Sequence, residues 1–305
     1  MTASAPSIER GGLRETHLDW RGLAFHAILL LSLLLSLAIL FTLLADVVGR
    51  GLPTLLERGG SFLTSPAASN PARAGISQAI FGTLMMAVFV AVFAFPIGIL
   101  TAIYLEEYAP DNRATRFIAV NIRNLAGVPS VVYGLLGLAI FVIGLEGLTA
   151  GRTMIAGGIT LAILVLPIVI ITSSEAIRAV PQALREAGYG VGASRWQVTR
   201  LLVLPAAAPG ILTGTVLSLS RALGETAPLV LAGAVLGSFS SGNKDIVEQM
   251  FGRYSALPVT VYDWARRPNA EFRELTAAAI VVLLVITLLA NAIAIVLRNR
   301  TERTW

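Results

Sequence analysis

Long apolar runs, each about the length of a bilayer crossing, constrain this chain more than any other feature. The first, Leu23–Leu44, carries no aspartate, glutamate, lysine or arginine. A transmembrane helix needs about 20 such residues to cross a hydrocarbon core roughly 30 Å thick. Hydrophobic residues make up 55% of the chain and charged residues 13%, a balance far from that of soluble domains. The sequence therefore predicts an all-α integral membrane protein.

Six spans are predicted from these runs. They are Leu23–Leu44, Phe81–Tyr104 with a break at Pro96, Leu125–Leu145, Thr153–Thr172, one crossing within Leu201–Leu236, and Thr276–Leu297. As a single helix, Leu201–Leu236 would be about 54 Å long at 1.5 Å per residue, which is too long for one simple crossing. We expect Pro209, Gly224 and Pro228 to divide it into a spanning helix and a shorter re-entrant helix.

The segments outside the spans define the predicted organisation of the chain. Residues 1–22 and 298–305 are polar tails, 23–297 is the membrane domain, and 45–75, with several glycines and prolines, is expected to be an exposed loop. Arginine and lysine are somewhat more frequent on the side of the N-terminus, and such residues favour cytoplasmic loops. Both tails and the polar segment 181–200 are therefore predicted to be cytoplasmic.

Composition also limits the kinds of reactive or metal-binding site that the chain can form. The chain has no cysteine and only two histidines, His17 and His26, both near its start. Disulfides and thiolate metal sites are excluded, and a histidine-based zinc or catalytic site is not expected. We predict no catalytic residue, no metal site and no cofactor bound by this chain.

A polar segment, Pro181–Pro205, separates two of the apolar runs. Pro181 is expected to begin a short helix, because a proline at the first helical position loses no hydrogen bond. Glycines up to Gly192 then weaken the helix, since glycine costs about 1 kcal/mol in a helix interior. Ser194, followed three residues later by Gln197, fits a capping box. The pattern predicts two helices joined at a glycine bend, although a solvated loop between spans fits the same composition.

The same segment resembles the EAA loop of ATP-binding cassette (ABC) importer permeases. That motif runs Glu-Ala-Ala, three residues, Gly, nine residues, Ile-x-Leu-Pro, and here it reads Glu186-Ala187-Gly188, then Gly192, then Leu202-Val203-Leu204-Pro205. The resemblance implies a type I ABC importer permease fold in which this segment is the coupling helix that docks on a separate ATPase. The residues it assigns to that contact and its bend are Glu186, Ala187, Gly188, Gly192, Arg195 and Trp196. No phosphate-loop motif of the form G-x-x-x-x-G-K-[ST] occurs in the chain, so ATP and magnesium are expected to bind the partner ATPase.

A second polar cluster, RALGETAP at Arg221–Pro228, interrupts an apolar run. Charged groups at membrane depth cost several kcal/mol unless they are paired or face a cavity. Arg221 and Glu225 could pair along one helix face if the helix continues through Gly224. One interpretation is therefore a structural salt bridge. The other is anion handling, in which the guanidinium donates to an oxyanion and the carboxylate accepts a hydrogen bond from the P–OH group of hydrogenphosphate.

RALGETAPL also resembles the membrane motif of phosphate-specific ABC permeases of the PstA type. Two further stretches carry this resemblance: Ala126–Gly134 followed by LLGL, and LPVTVYDW at Leu257–Trp264. Together they place the similarity over roughly residues 75–297.

This resemblance implies a substrate pathway. It assigns Arg221, Glu225 and Thr226 to the passage of phosphate, and Ser130 and Tyr133 to cavity-lining hydroxyls. The alternative for the last two is an ordinary structural role, with the serine bonded to backbone and the aromatic ring packed between helices.

Glu175 and Arg178 lie at the predicted inner end of the fourth span. Their proximity makes them a candidate inner gate pair. The alternative is a pair of solvated charges at the membrane interface.

The function implied by the resemblance is that of a six-span subunit of an ATP-driven inorganic phosphate importer in the bacterial plasma (inner) membrane. It would be a transport subunit rather than an enzyme. The implied partners are a PstC-type permease as heterodimer partner, a PstB-type ATPase dimer and a PstS-type phosphate-binding protein, with no nucleic acid. Another oxyanion cargo (molybdate, tungstate or a phosphonate) is an open alternative, and an ion-driven carrier without an ATPase is a more distant one.

Overall fold

The computed structural model describes residues 20–235 and 246–301, and every regular element within these ranges is helical. Residues 1–19 and 302–305 of the predicted tails lie outside the described residues, and the last helix continues to Thr301. One compact unit ends at Asp46 and the other begins at Val47. The main helices are α1 Trp20–Thr64, α2 Ser77–Tyr108, α3 Arg113–Ala126, α4 Ser130–Gly144, α5 Met154–Arg178, α6 Gln182–Gly190, α7 Arg195–Gly224, α8 Ala227–Leu231, α9 Leu257–Ala265 and α10 Ala270–Thr301. A 3₁₀ turn at Pro71–Arg73 and short helices at Glu146–Thr149 and Ile246–Met250 complete the set.

Five helices of the described chain are long and apolar enough to cross a membrane, namely α1, α2, α5, α7 and α10. The bent pair α3–α4 supplies a sixth if it is counted as one span, which agrees with the six predicted spans. Side chains of the most apolar part of α1 are all exposed, as expected of a helix surrounded by lipid.

Helix α5 forms the centre of the second unit, with 67% of its most apolar window buried. It packs closely on α7 through Gly210 and Gly214, two small residues four apart. A Cβ atom on Gly214 would lie 2.3 Å from Thr172 Oγ1, and one on Gly210 would lie 2.8 Å from Ala176 Cβ. The two backbones therefore approach each other in the manner typical of small-residue pairs in membrane helices.

Helices α2 and α7 continue through the prolines that lie inside them. The predicted break at Pro96 is wrong, because α2 continues through it after a π-helical turn at Val90–Ala94. A second π turn, Thr199–Val203, precedes Pro205 in the same way. A proline ring clashes with the carbonyl four residues earlier, and a wider turn at that point relieves the clash. Pro209 likewise lies inside α7, so only the predicted interruption after Gly224 is confirmed.

The predicted loop 45–75 is wrong over its first part, because α1 continues to Thr64. Gly51 lies against the backbone of Ala277 and Ala278 in α10, where a Cβ atom would come within 2.7 Å. Phe62 is fully buried against Trp264 and its neighbours. Burial of this helical face outweighs the roughly 1 kcal/mol that each glycine costs a helix.

The predicted third span, Leu125–Leu145, falls on two helices that are joined at a sharp bend. Helices α3 and α4 meet at an angle of 101°. Pro129 lies at the bend, and a proline disfavours helical geometry in the residue before it. The predicted run therefore does not form one straight helix, and α3, which buries none of its residues, lies across the direction of α4.

The close approach of α5 and α7 predicts that Gly214→Ala destabilises the protein. The added methyl overlaps Thr172, and overpacking of this kind costs about 1–3 kcal/mol. The measurement is the Tm of the purified protein in detergent. Gly49→Ala in α1 is the matched control, since its Cβ would meet no atom within 4 Å. Equal Tm values for the two variants would contradict the packing argument.

Candidate functional site

The end of α2 contacts α6 and the two spans beside it through three consecutive residues, Glu106, Glu107 and Tyr108, which we call the anchor. Each anchor residue contacts a different arginine, and the three arginines come from the end of α5, from α6 and from the start of α7. The anchor residues form a π-helical turn that ends α2. One turn of one helix thus contacts α6 and the two spans that flank it in the chain.

The central contact of the anchor is a buried ion pair between Arg185 of α6 and Glu107. Arg185 donates to Glu107 Oε1 from Nη2 at 2.8 Å and from Nε at 3.1 Å. The same guanidinium donates to the carbonyl oxygens of Val180 at 2.7 Å and Ile177 at 2.9 Å. The side chains are only 13% and 4% exposed. Such a charge pair is tolerated because its hydrogen bonds are well satisfied.

The outer two anchor contacts lie on either side of this pair. Arg178 donates to Glu106 from Nη2 at 2.7 Å and from Nε at 3.2 Å. The guanidinium of Arg195 lies over the ring of Tyr108, 5.4 Å from its centroid, within the range of a cation–π contact. The ion pair of Arg178 is therefore with Glu106, whereas the sequence suggested Glu175 as its gate partner.

The predicted bend in the polar segment is confirmed. Gly192 has φ of +81°, a left-handed conformation that favours glycine. Gly188 is buried, and a Cβ atom there would lie 2.8 Å from both Val198 and Leu202. Helix α7 then begins with the predicted capping box, in which Ser194 accepts from the Gln197 backbone and the Gln197 side chain accepts from Ser194. Pro181 itself lies one residue before α6.

The face of α6 that points away from the anchor is exposed and mixes apolar groups with one acid. Glu186 and Ala187 lie on this face. Tyr189, Val191 and Trp196 are large apolar side chains beside them, and Val191 is 85% exposed. Aromatic and aliphatic groups around a single charge are suited to protein contact.

The second polar cluster lies where α7 ends. The helix stops at Gly224 instead of continuing, yet Arg221 Nε still lies 3.3 Å from Glu225 Oε1. The guanidinium is 49% exposed and the carboxylate 16%. Next to them, Ser220 donates to Asn291 of α10, which ties this part of α7 to the last span.

Helix α8, which follows the cluster, packs on α4. A Cβ atom on Gly134 would lie 2.8 Å from Pro228 Cα, so the small residue permits this contact. Thr226 precedes α8, and Ser130 begins α4, so the two motifs of the pathway prediction lie on adjoining elements. Tyr133 is buried, and its hydroxyl donates to the Leu125 carbonyl at 2.9 Å, which braces the bend between α3 and α4.

Sequence reasoning missed the anchor and Asn291. The signal for the anchor was available, because two glutamates follow an apolar run and several arginines flank α6. Pairing them requires the fold, since Glu107 and Arg185 lie far apart in the chain. Among the described residues, no group of three or more histidines, aspartates and glutamates is placed to hold a metal ion.

A helical membrane bundle with an exposed, rigidly held helix between two spans is the architecture of a transport permease subunit. Residues 94–303 match the family described as "Binding-protein-dependent transport system inner membrane component". The chain belongs to this family.

Several curated relatives are similar over most of the chain. The protein named phosphate transport system permease protein PstA 1 of Mycobacterium tuberculosis is 35% identical, over 75% of this chain and 72% of the relative. The PstA of Yersinia pestis is 33% identical over 86% of this chain and 85% of the relative. The PstA of Pasteurella multocida is 32% identical over 92% and 97%.

Solved structures with the same fold come from ABC importers. A chain of the inward-facing MetNI methionine ABC transporter superposes with a TM-score of 0.59 at 17% identity, covering 77% of this chain and all of that one. A chain of a bacterial ABC transporter involved in alginate import gives 0.57 at 15% identity, covering 93% and 97%. The predicted type I ABC importer permease fold is confirmed.

The buried pair at the anchor predicts that Glu107→Gln destabilises the protein. Removing one partner of a buried ion pair typically costs about 3–5 kcal/mol, because the other charge loses its counter-charge. Thermal unfolding in detergent should show a markedly lower Tm. Asp111→Asn is the control, since the Asp111–Arg116 pair is 89% and 73% exposed and such pairs contribute little. A Tm for Glu107→Gln as high as that of the control would refute the structural importance of the pair.

Proposed function

We propose that this chain is the membrane subunit of an ATP-driven importer of inorganic phosphate, working in the bacterial plasma membrane. The observation that carries the transport role is α6, a short helix whose exposed face is free for protein contact while its other face is clamped to three spans. The similarity to several PstA permeases supports phosphate as the cargo.

Helix α6 would dock on a cytoplasmic ATPase. Glu186 and Ala187 would lie at the contact, with Tyr189, Val191 and Trp196 around them. Because the anchor joins α6 to α2, α5 and α7 together, a displacement of α6 moves the ends of these helices as a group. Closure of the ATPase would in this way be converted into tilting of the spans, and the pathway would change from outward-facing to inward-facing.

The phosphate pathway would pass Arg221 and Glu225. Glu225 engages only the Nε side of the guanidinium, and an arginine carries five N–H donors, so the half-exposed group retains donors for an oxyanion. A carboxylate beside it would accept a hydrogen bond from the P–OH group of hydrogenphosphate and repel fully ionised sulfate, which has no such donor. Ser130 and Thr226 lie on the adjoining elements and would complete the polar lining.

The partners follow from this role. A PstC-type permease would complete the pathway as a heterodimer, a PstB-type ATPase dimer would bind ATP and magnesium, and a PstS-type protein would deliver phosphate from outside. Both termini would be cytoplasmic, on the side of α6. Glu175 and Arg178 would lie at the inner end of the pathway as the proposed gate, in which the Arg178–Glu106 ion pair would also take part. Molybdate, tungstate or a phosphonate is the alternative cargo.

The docking role predicts that Glu186→Lys uncouples ATP hydrolysis from transport. Reversing the only charge on the exposed face of α6 should leave the complex assembled. Uptake of radiolabelled phosphate into proteoliposomes should fall at least tenfold, and stimulation of ATPase activity should be lost with it. Glu146→Lys, an exposed glutamate close to the other end of α5, is the matched control. Normal phosphate uptake by Glu186→Lys would contradict the proposed docking role of α6.

The pathway role predicts a different outcome for Arg221→Gln. Loss of the charge should abolish phosphate uptake while assembly and ATPase stimulation persist. Arg113→Gln, an exposed arginine at the start of α3, controls for loss of one positive charge. Loss of assembly in Arg221→Gln would support the structural salt bridge. Uptake of another oxyanion in place of phosphate by the unmodified complex would overturn only the assignment of phosphate as the cargo.

A further inference from the structure

A cavity of about 700 Å³, which we call the arginine pocket, lies at the end of the second unit opposite α6. It is formed by the end of α1, the segment that leads to α2, and the residues after α9. Three arginines and three serines among its lining residues can donate hydrogen bonds: Arg58, Arg73, Arg267, Ser61, Ser65 and Ser69. No aspartate or glutamate of the described chain lines it.

The location follows from the course of α2. Ser77, the first residue of α2, donates from its hydroxyl to the Ser65 carbonyl at 2.9 Å, so the pocket lies beside the start of this helix. The anchor lies at the other end of this helix, which is 32 residues or about 48 Å long. Since the apolar part of α2 begins within a few residues of Ser77, the pocket lies where lipid meets water.

The walls of the pocket are held in place by the protein itself. Arg58 donates from Nη1 to the Pro71 carbonyl and from Nη2 to the Ala74 carbonyl, both at 2.9 Å. Arg267 donates from Nε to Asp263 at 3.1 Å, and its guanidinium lies 4.4 Å from the Phe272 ring centroid. Two of the three cations are therefore pre-positioned, and Arg73, the last residue of the 3₁₀ turn, is exposed.

The two cavities that Arg58 lines differ in charge. On the other side of Arg58 a smaller cavity of about 250 Å³ is lined by Glu57, Glu271 and Glu274. The lining of the arginine pocket therefore carries three positive charges and no negative one among the described residues; Asp263 pairs with Arg267 from outside the lining, and Arg58 also lines the acidic cavity. Converging cations repel one another, and a bound anion relieves that repulsion.

We propose that the arginine pocket binds a phosphate group. Guanidinium groups present planar sets of N–H donors that match the oxygens of phosphate, and serine hydroxyls add donors around them. Two sources offer this chemistry at the membrane surface: free inorganic phosphate and the phosphodiester headgroup of an anionic lipid. The first source rests on the proposed function, in which inorganic phosphate is the cargo, whereas the lipid source does not depend on it.

The test uses the complex of this chain with its partner permease and ATPase, in nanodiscs and without any external binding protein. Every sample carries Arg221→Gln, so that the proposed pathway contact does not contribute. One arm measures binding of radiolabelled inorganic phosphate in discs of phosphatidylcholine. The other measures retention of phosphatidylglycerol by native mass spectrometry after assembly in discs that contain it.

The pocket variant is Arg73→Gln with Arg267→Gln. Its matched control is Arg266→Gln with Arg113→Gln, which removes the same charge; Arg266 neighbours Arg267 but stacks on Tyr262, outside the pocket. We expect the pocket variant to lose at least tenfold in affinity in one arm, and the control to stay within twofold. Loss in the phosphate arm identifies free phosphate, and loss in the lipid arm identifies a headgroup.

Equal binding by the two variants in both arms, or no binding of either probe by the reference complex, would overturn the proposal. Neither result depends on transport. Uptake by the complete transporter with an intact Arg221 tests the proposed function separately, so a complex that imports phosphate yet binds neither probe at the arginine pocket refutes this proposal alone.

Discussion

The buried ion pair between Arg185 and Glu107 is the contact on which the position of α6 depends. Removing two charges from water costs several kcal/mol for each ion, and this cost is recovered only when the remaining donors and acceptors are satisfied. Here the guanidinium also donates to two carbonyl groups at the end of α5, where a helix leaves its last carbonyls without partners. The pair therefore fixes the position of α6 and the direction in which the chain leaves α5.

The two proposed functional regions are linked by α7, which runs from the capping box after α6 to Arg221. Along its length α7 contacts α5 at Gly210 and Gly214, with backbones close enough that one methyl group would overlap. Packed helices of this kind move as rigid bodies rather than bending locally. Physical continuity between α6 and the end of α7 is a reason to expect that both regions respond to the same event, and measured coupling between them would establish it.

Much of this architecture could be predicted from residue pattern. Apolar length identified the spans, because a bilayer imposes one length on every crossing. Local backbone rules located the glycine bend and the capping box, since Gly192 and Ser194 act on atoms a few residues away. The same rules were wrong at Pro96. A proline removes one backbone hydrogen bond of a helix, but its presence does not say whether the helix ends or adjusts, and here a π turn let the helix continue.

What could not be predicted depends on contacts distant in sequence. Glu107 appears in the sequence as one of two acids after a span, and only the fold brings it to Arg185. The helical course of residues 45–64 likewise depends on Gly51 meeting α10. At Arg221 and Glu225 the opposite charges correctly indicated an ion pair. The condition that the helix continue through Gly224 was not needed, because the helix ends at Gly224 and the pair still forms.

The three anchor residues are consecutive, and this has a geometric consequence. Successive side chains on an α-helix point about 100° apart, and somewhat less in a π turn, so Glu106, Glu107 and Tyr108 face different directions around the axis of α2. The arginines they contact therefore lie in three directions over roughly half the circumference of that helix. Rotation of α2 about its own axis would shear all three contacts at once, whereas a shift of α6 alone acts first on the central ion pair. The end of α2 is thus held most firmly against rotation about its axis.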